Sequence, residues 1–151
     1  PFREGPTVAQ LVAEGVLHPL LSNIAPFPAV YGHQERAIRS IRQGHTTVIS
    51  TGTGSGKTEA FLYPIISRCL ELRDQHAAAG VTAVLVYPMN ALAEDQLERL
   101  RGLLAGTGIS VGMYVGKTPE RSADVQGKRL EPGASRAGHD AAAMAAGGEG
   151  E

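Results

Sequence analysis

Apolar residues recur at helical spacing in four stretches of the chain. Thr7 can cap the first stretch, Asn90 can cap the last, and Gly44 stands at the end of the second, where a left-handed residue commonly closes a helix. Pro64 lies within the first two turns of the third stretch, so we expect that helix to continue with a bend. The four predicted helices span residues 7–17, 33–43, 57–73 and 90–106.

Three other stretches are short, apolar and rich in β-branched residues, which is typical of buried strands. They are residues 46–51, which lead directly into glycines, residues 82–87, which Pro88 ends, and residues 109–115. Strands and helices therefore alternate along the chain. With right-handed crossovers, this order predicts an α/β domain built on a doubly wound parallel sheet.

Composition divides the chain into three parts. A lead-in helix and a connector with three prolines occupy residues 1–29, and we expect the connector to be extended up to Val30. The α/β domain covers residues 30–121. Residues 122–151 are rich in alanine and glycine, and we expect a disordered tail or insertion there.

Charge and cysteine content exclude several classes of protein. The single cysteine, Cys69, allows no internal disulfide, and we expect it to be a packing residue. No apolar run is long enough to cross a membrane, and the first residues lack the order of a secretory signal, so we expect a cytoplasmic protein without a membrane partner. The net charge of −1 gives no general basic surface, so a nucleic-acid partner has to be inferred from local motifs.

Residues 50–58 (Ser-Thr-Gly-Thr-Gly-Ser-Gly-Lys-Thr) lie between a predicted strand and a predicted helix, which is the context of a phosphate-binding loop. Glycines let backbone N–H groups approach phosphates, Lys57 would reach the β- and γ-phosphates, and the Thr58 hydroxyl would bind Mg²⁺. Thr51 stands where the usual pattern has its first glycine. A glycine-rich turn with an incidental Lys-Thr pair is the alternative. The predicted nucleotide contacts are Thr51, Gly52, Thr53, Gly54, Ser55, Gly56, Lys57 and Thr58, of which Lys57 and Thr58 are the catalytic candidates.

With this loop and three further motifs, the sequence resembles the DEAD/DEAH-box class of superfamily 2 helicases over roughly residues 28–121. Tyr31-Gly32-His33-Gln34 is similar to the segment by which such helicases recognise adenine, with Gln34 as the matching residue. Residues 87–96 resemble a segment that helps to bind the nucleic-acid backbone, and their order is closest to that in large bacterial helicases of defence or repair. Residues 116–121 look like a further turn that contacts a nucleic-acid strand. The resemblance assigns nucleic-acid contacts to Pro88, Asn90, Gln96, Gly116 and Thr118.

The resemblance implies a RecA-like fold of the P-loop NTPase type and an ATP-dependent helicase that uses Mg²⁺ with its nucleotide. The expected partner is single-stranded or duplex nucleic acid, with DNA favoured over RNA. No Asp-Glu pair that could hold magnesium occurs in the 151 residues, and a second motor domain is not recognisable, so we expect an incomplete first motor domain that binds ATP better than it hydrolyses it.

Two other functions stay open on the sequence. A non-catalytic nucleotide-binding or interaction module would use the same loop without turnover. A P-loop kinase would need an acceptor pocket and lid arginines, and residues 82–121 show neither pattern. Gln34 has its own alternative, which is an ordinary surface position on a helix. The five histidines are scattered without the spacing of metal ligands, and the oligomeric state is not indicated.

Overall fold

The structure, a computed structural model, describes residues 3–52, 56–78 and 80–115. The chain divides into two compact units, Pro1–Ala83 and Val84–Glu151. The described elements of the first unit are β1 (Glu4–Thr7), α1 (Val8–Ala13), α2 (Leu21–Ile24), β2 (Ala29–Tyr31), α3 (Gly32–Arg42) and α4 (Lys57–Asp74). The described part of the second unit contains α5 (Asn90–Leu104).

The lead-in helix begins at the predicted cap and ends earlier than predicted. The Thr7 Oγ1 atom accepts a hydrogen bond from the Gln10 N–H at 3.1 Å, and Gln10 Oε1 accepts the Thr7 N–H at 2.7 Å, so a capping box closes the first turn. Gly15 adopts the left-handed conformation with φ 73°, and its N–H donates to the Val12 carbonyl at 2.9 Å. This glycine ends α1 at Ala13 instead of residue 17.

The connector was predicted to be extended up to Val30, but part of it is helical. Leu21–Ile24 form the short helix α2, and the side chain of Leu21 is fully buried. Ala29–Tyr31 form β2, which pairs antiparallel with β1. Four residues of β1 face three residues of β2, because Glu4 pairs with Tyr31 while Thr7 pairs with Ala29. The irregularity is a bulge in the first strand.

Helices α3 and α4 pack against each other and provide most of the core of the first unit. The predicted end of α3 is confirmed, since Gly44 has φ 83° and its N–H donates to the Ile41 carbonyl. Helix α4 continues through Pro64, which is itself fully buried. The fully buried large side chains of this core are Leu11, Leu21, Ile38, Leu62, Tyr63, Pro64 and Leu70.

Polar contacts join the lead-in segment to both of these helices. Arg42 at the end of α3 donates from Nε to the Val16 carbonyl at 2.9 Å and forms a two-pronged ion pair with Glu71 of α4. His18 contacts the Asp74 carboxylate through Nε2 at 2.7 Å, while its Nδ1 accepts the Leu20 N–H at 3.1 Å. The hydrogen bond from His18, with a second from Arg73, holds the pKa of the Asp74 carboxyl below its usual value.

The predicted parallel sheet is not formed in the described part of the chain. The structure assigns no strand to residues 46–51, 82–87 or 109–115, and the only described sheet is the antiparallel pair β1 and β2. Val48, Val81, Val84 and Val86 are largely exposed. Continuous apolar strands are stable when neighbouring strands and both covering layers are present, so local propensity alone does not produce them. The doubly wound sheet therefore stays a prediction.

In the second unit, α5 buries Leu97, Leu100 and Leu104 on one face. The prediction that Asn90 caps this helix is wrong, because Asn90 is already the first helical residue. Met89 occupies the cap position in an extended conformation and makes no capping hydrogen bond through its side chain. The helix ends just before Gly106, whose φ is 73°, so the predicted stop is confirmed. The predicted turn at 116–121 and the tail at 122–151 lie outside the described residues.

The structure bears on two further predictions, the packing role of Cys69 and the absence of a membrane span. Cys69 lies half-buried on α4, and burial raises the pKa of its thiol, which agrees with a packing role. None of the described helices combines the length and apolarity that a bilayer crossing requires.

Candidate nucleotide site

Gly56 forms the corner between the glycine-rich loop and α4. It adopts the left-handed conformation, with φ 70° and ψ 32°, and caps a helix that begins at Lys57. A Cβ atom at this position would lie 2.3 Å from Gln34 Nε2 and 3.2 Å from Glu59 Oε2. The corner therefore requires glycine for its backbone conformation and for the close approach of two side chains.

Lys57 lies against the loop that precedes it. Its ammonium group donates to the carbonyl oxygen of Gly52 at 2.9 Å and to that of Thr51. The predicted cation is thus held over the loop by backbone carbonyls, at the amino end of a helix of 18 residues. A helix amino terminus and a lysine together favour an anion, which is the electrostatic requirement for binding phosphates.

Thr58 occupies the second position of α4 and is half-buried. Its hydroxyl would bind Mg²⁺ that arrives with a nucleotide, and the first turn of a helix after a glycine corner is where such a hydroxyl is found. Within the described ranges, no group of three or more His, Cys, Asp or Glu side chains is arranged to hold a metal ion by itself. Thr53, Gly54 and Ser55 lie outside the described residues, so their contacts stay predictions.

Gln34 is the side chain that joins α3 to this loop. Its Oε1 atom accepts the N–H of Tyr31 at 2.6 Å, and its Nε2 atom donates to the carbonyl oxygen of Gly56 at 2.7 Å. Only 4% of the residue is exposed, which excludes the alternative of an ordinary surface position. The residue matched to adenine recognition and the predicted phosphate loop are therefore in direct contact.

Glu59 is a further candidate site residue, which the sequence did not indicate. It is 5% exposed, and it lies in the first turn of α4 beside Gly56. A carboxylate in the first turn is favoured by the helix dipole, which offsets part of the cost of burying it. The available signal was a charged residue on the side of α4 that also carries Ala60, Tyr63 and Ser67, all of them buried.

The predicted nucleic-acid contacts belong to the second compact unit. Pro88 and Asn90 are exposed, and Gln96 is half-buried with its Nε2 donating to Asp95 Oδ2 at 3.2 Å. Burial raises the pKa of the nearby Tyr87 hydroxyl. Gly116 and Thr118 lie outside the described residues. The first compact unit therefore brings Gln34, Gly56, Lys57 and Glu59 together. The 88–96 segment belongs to the second unit.

Comparison with known proteins agrees with this arrangement of motifs. A family model described as DEAD/DEAH box helicase matches residues 31–131, which is more than half of the chain. The chain belongs to this family. Membership in the helicase family implies a RecA-like α/β fold and confirms the resemblance predicted from the motifs at 31–34, 50–58 and 87–96.

Several curated relatives are named helicases, and the chain covers only a small part of the length of each of the following three. Druantia protein DruE of Escherichia coli (strain UMEA 4076-1) is 41% identical over an alignment of 107 residues, and the match covers 59% of this chain and 6% of the relative. DEAD-box ATP-dependent RNA helicase 29 of Oryza sativa subsp. indica is 37% identical over 83 residues, or 55% of this chain and 9% of the relative. ATP-dependent helicase HRQ1 of Saccharomyces cerevisiae is 35% identical over 75 residues, or 50% of this chain and 6% of the relative. No solved structure was found to match the chain.

Proposed function

We propose that this chain is the ATP-binding part of an ATP-dependent nucleic-acid helicase or translocase. The observation that carries the proposal is the hydrogen bond from Gln34 Nε2 to the Gly56 carbonyl, 2.7 Å long. It brings a side chain suited to a nucleobase into contact with a loop suited to phosphates. Family membership supports the class of enzyme in this proposal, and the geometry of the site supports the choice of residues.

Lys57 and Thr58 hold the phosphates and Mg²⁺ in this proposal. The loop residues 51–56 contribute backbone N–H groups, and Gly56 gives the turn that aims the amino end of α4 at the phosphates. Lys57 exchanges its carbonyl partners at Thr51 and Gly52 for phosphate oxygens. The lysine is charged in both states, but phosphate oxygens carry negative charge and carbonyl oxygens do not, so the exchange adds charge–charge attraction and favours the nucleotide.

Gln34 distinguishes adenine from guanine in this proposal. A glutamine amide has two acceptor sites on oxygen and two donor hydrogens on nitrogen. The bonds to Tyr31 and Gly56 use one site on each atom, which leaves one acceptor and one donor. Adenine offers the complementary pair, a donor at N6 beside an acceptor at N7, while guanine has an acceptor at O6 instead.

The remaining segments contact a nucleic-acid strand. We assign this role to Pro88, Asn90 and Gln96, and to Gly116 and Thr118, on the resemblance of residues 87–96 and 116–121 to helicase segments. Relatives named RNA helicases match the chain, so the proposed preference for DNA has to be measured against RNA. Hydrolysis by this chain alone is proposed to be weak, because its sequence contains no Asp-Glu pair.

Replacing the loop lysine tests the proposal. Lys57→Ala should weaken Mg-ATP binding by about 10- to 100-fold, the effect of losing one or two hydrogen bonds to a charged group. Calorimetric titration of wild type and variant measures this, with circular dichroism to show that both are folded. Arg68→Ala removes an exposed cation from the same helix and should leave the affinity unchanged. Equal ATP affinity in Lys57→Ala and wild type would refute the phosphate-loop assignment.

A further inference from the structure

Strand β1 holds both ends of the segment that leads into Gln34. The Gly32 N–H donates to the Arg3 carbonyl at 2.9 Å, and the Val8 N–H donates to the Pro28 carbonyl at 2.9 Å. Between these bonds, Glu4 pairs with Tyr31 and Thr7 pairs with Ala29. The backbone from Pro28 to Gly32 is therefore fixed by residues 3–8.

The two strands are unusually close at Gly5. A Cβ atom at this position would lie 2.8 Å from the Val30 carbonyl oxygen, 3.0 Å from the Tyr31 carbonyl carbon and 3.1 Å from the Gly32 nitrogen. All three are backbone atoms, which cannot rotate away as a side chain can. Any side chain at position 5 therefore pushes β1 away from the backbone of Tyr31 and Gly32.

The Tyr31 backbone in turn fixes the orientation of the Gln34 amide. Its N–H can bond only to Oε1, and the Gly56 carbonyl can bond only to Nε2. These two anchors of opposite type exclude the flipped amide, in which oxygen and nitrogen exchange places. If the Tyr31 N–H moves, one of the two anchors is lost and the amide can present a donor where a base needs an acceptor.

We propose that β1 is a positioning element for base recognition, which acts by fixing the Tyr31 N–H and through it the orientation of the Gln34 amide. This inference rests on the proposed reading of adenine by Gln34. It assigns to the lead-in strand a role in nucleotide selectivity, separate from the binding of phosphates by residues 51–58. A strand that only stabilised the fold would affect all nucleotides equally.

Gly5→Val tests the inference through the ratio of GTP to ATP dissociation constants. We expect ATP binding to weaken by about fivefold, the effect of one misplaced hydrogen bond, while GTP binding stays at its wild-type value. Gly80→Val is the matched control, because a Cβ at Gly80 meets no atom within 4 Å. Circular dichroism and thermal unfolding establish that the variants fold. If Gly5→Val does not fold, Gly5→Ala serves for the same measurement, since its Cβ already meets the Val30 oxygen.

A double variant shows whether β1 acts through Gln34. In the Gln34→Ala background, adding Gly5→Val should change the nucleotide ratio no further, because the amide that β1 orients is gone. A Gly5→Val protein with the wild-type ratio, or with equal losses for ATP and GTP, would overturn the inference while leaving Gln34 as the adenine contact. A wild type that does not distinguish the two nucleotides would overturn the Gln34 assignment and this inference with it.

Discussion

Gln34 links the two segments that we propose for base and phosphate recognition. Its amide bonds to the start of α3 through Tyr31 and to the phosphate loop through Gly56. A buried amide that is held at both its oxygen and its nitrogen resists movement, because breaking either bond leaves an unsatisfied group in a low-dielectric environment. Movement of the loop at Gly56 would therefore reach the backbone at Tyr31 directly.

Gln34→Ala should weaken ATP binding more than GTP binding. The expected loss for ATP is about tenfold, because two hydrogen bonds to the adenine edge disappear while guanine never formed the same pair. Titrations with both nucleotides measure this difference. Gln43→Ala, at the exposed end of the same helix, is the control and should change neither affinity. Equal losses for ATP and GTP would limit Gln34 to holding the loop.

Gly56→Ala should weaken nucleotide binding in a way that strain alone does not explain. Alanine in the left-handed region costs about 1–2 kcal/mol at either Gly56 or Gly15, whose φ values are 70° and 73°. The two sites differ in space, since a Cβ at Gly15 meets nothing within 4 Å and one at Gly56 meets Gln34. Thermal unfolding should show the strain cost in both variants and a further loss in Gly56→Ala, where Gln34 has to move, and only Gly56→Ala should lose ATP affinity. Loss of ATP affinity in Gly15→Ala as well would contradict a specific role of the corner.

Most of the candidate site could be proposed from the sequence because its signals are local. The loop at 50–58 and Gln34 were identified from short motifs, and the structure adds that Gln34 is buried against Gly56. Glu59 was missed because its burial depends on the packing of α3 against α4, which no local pattern shows. The amide orientation of Gln34 depends likewise on a bond to Tyr31 that only the folded chain displays.

Secondary-structure elements followed the sequence where their stabilising contacts are local. Helices α3, α4 and α5 lie within one residue of their predicted starts, because apolar periodicity and glycine stops are properties of neighbouring residues. The pairing of β1 with β2 was not predicted, since it joins residues about 25 positions apart through backbone groups that any sequence carries. Strand propensity alone was not sufficient at residues 46–51 and 82–87. The structure assigns no strand to these described residues, and neither stretch has a paired neighbour.

Arg42 should be the main polar link between the lead-in segment, α3 and α4. Arg42→Met keeps much of the apolar side chain but removes the bonds to the Val16 carbonyl and to Glu71. The ion pair is only partly buried, with side-chain exposures of 21% and 26%, so we expect a loss of about 1–2 kcal/mol in the free energy of unfolding. Urea denaturation measures this. Arg36→Met, at an exposed position of the same helix, should stay within about 0.5 kcal/mol of wild type, and a similar change in both variants would contradict the link.

For the whole molecule, net charge bears on the affinity for nucleic acid that we propose. The chain spans 6% of Druantia protein DruE and 9% of DEAD-box ATP-dependent RNA helicase 29, and its net charge is −1. Affinity for nucleic acid comes largely from the release of counterions by basic residues at phosphates, so a chain without excess positive charge gains little from it. Nucleotide binding and strand binding are therefore expected to differ strongly in affinity.

The isolated chain should bind ATP but hydrolyse it very slowly, with or without oligonucleotide. Phosphoryl transfer needs a magnesium-binding acid, a positioned water and a cation on the developing charge, and of these the identified residues supply only the phosphate-loop contacts. Turnover is measured with single-stranded DNA and RNA, together with oligonucleotide affinity at two salt concentrations. Lys57→Ala controls for contaminating ATPases, because it removes the proposed phosphate contact of this chain and leaves other ATPases unchanged. Strong turnover that oligonucleotide stimulates and Lys57→Ala abolishes would mean that the 151 residues contain a complete hydrolytic centre. A non-catalytic nucleotide-binding module would instead bind ATP without any response to either strand.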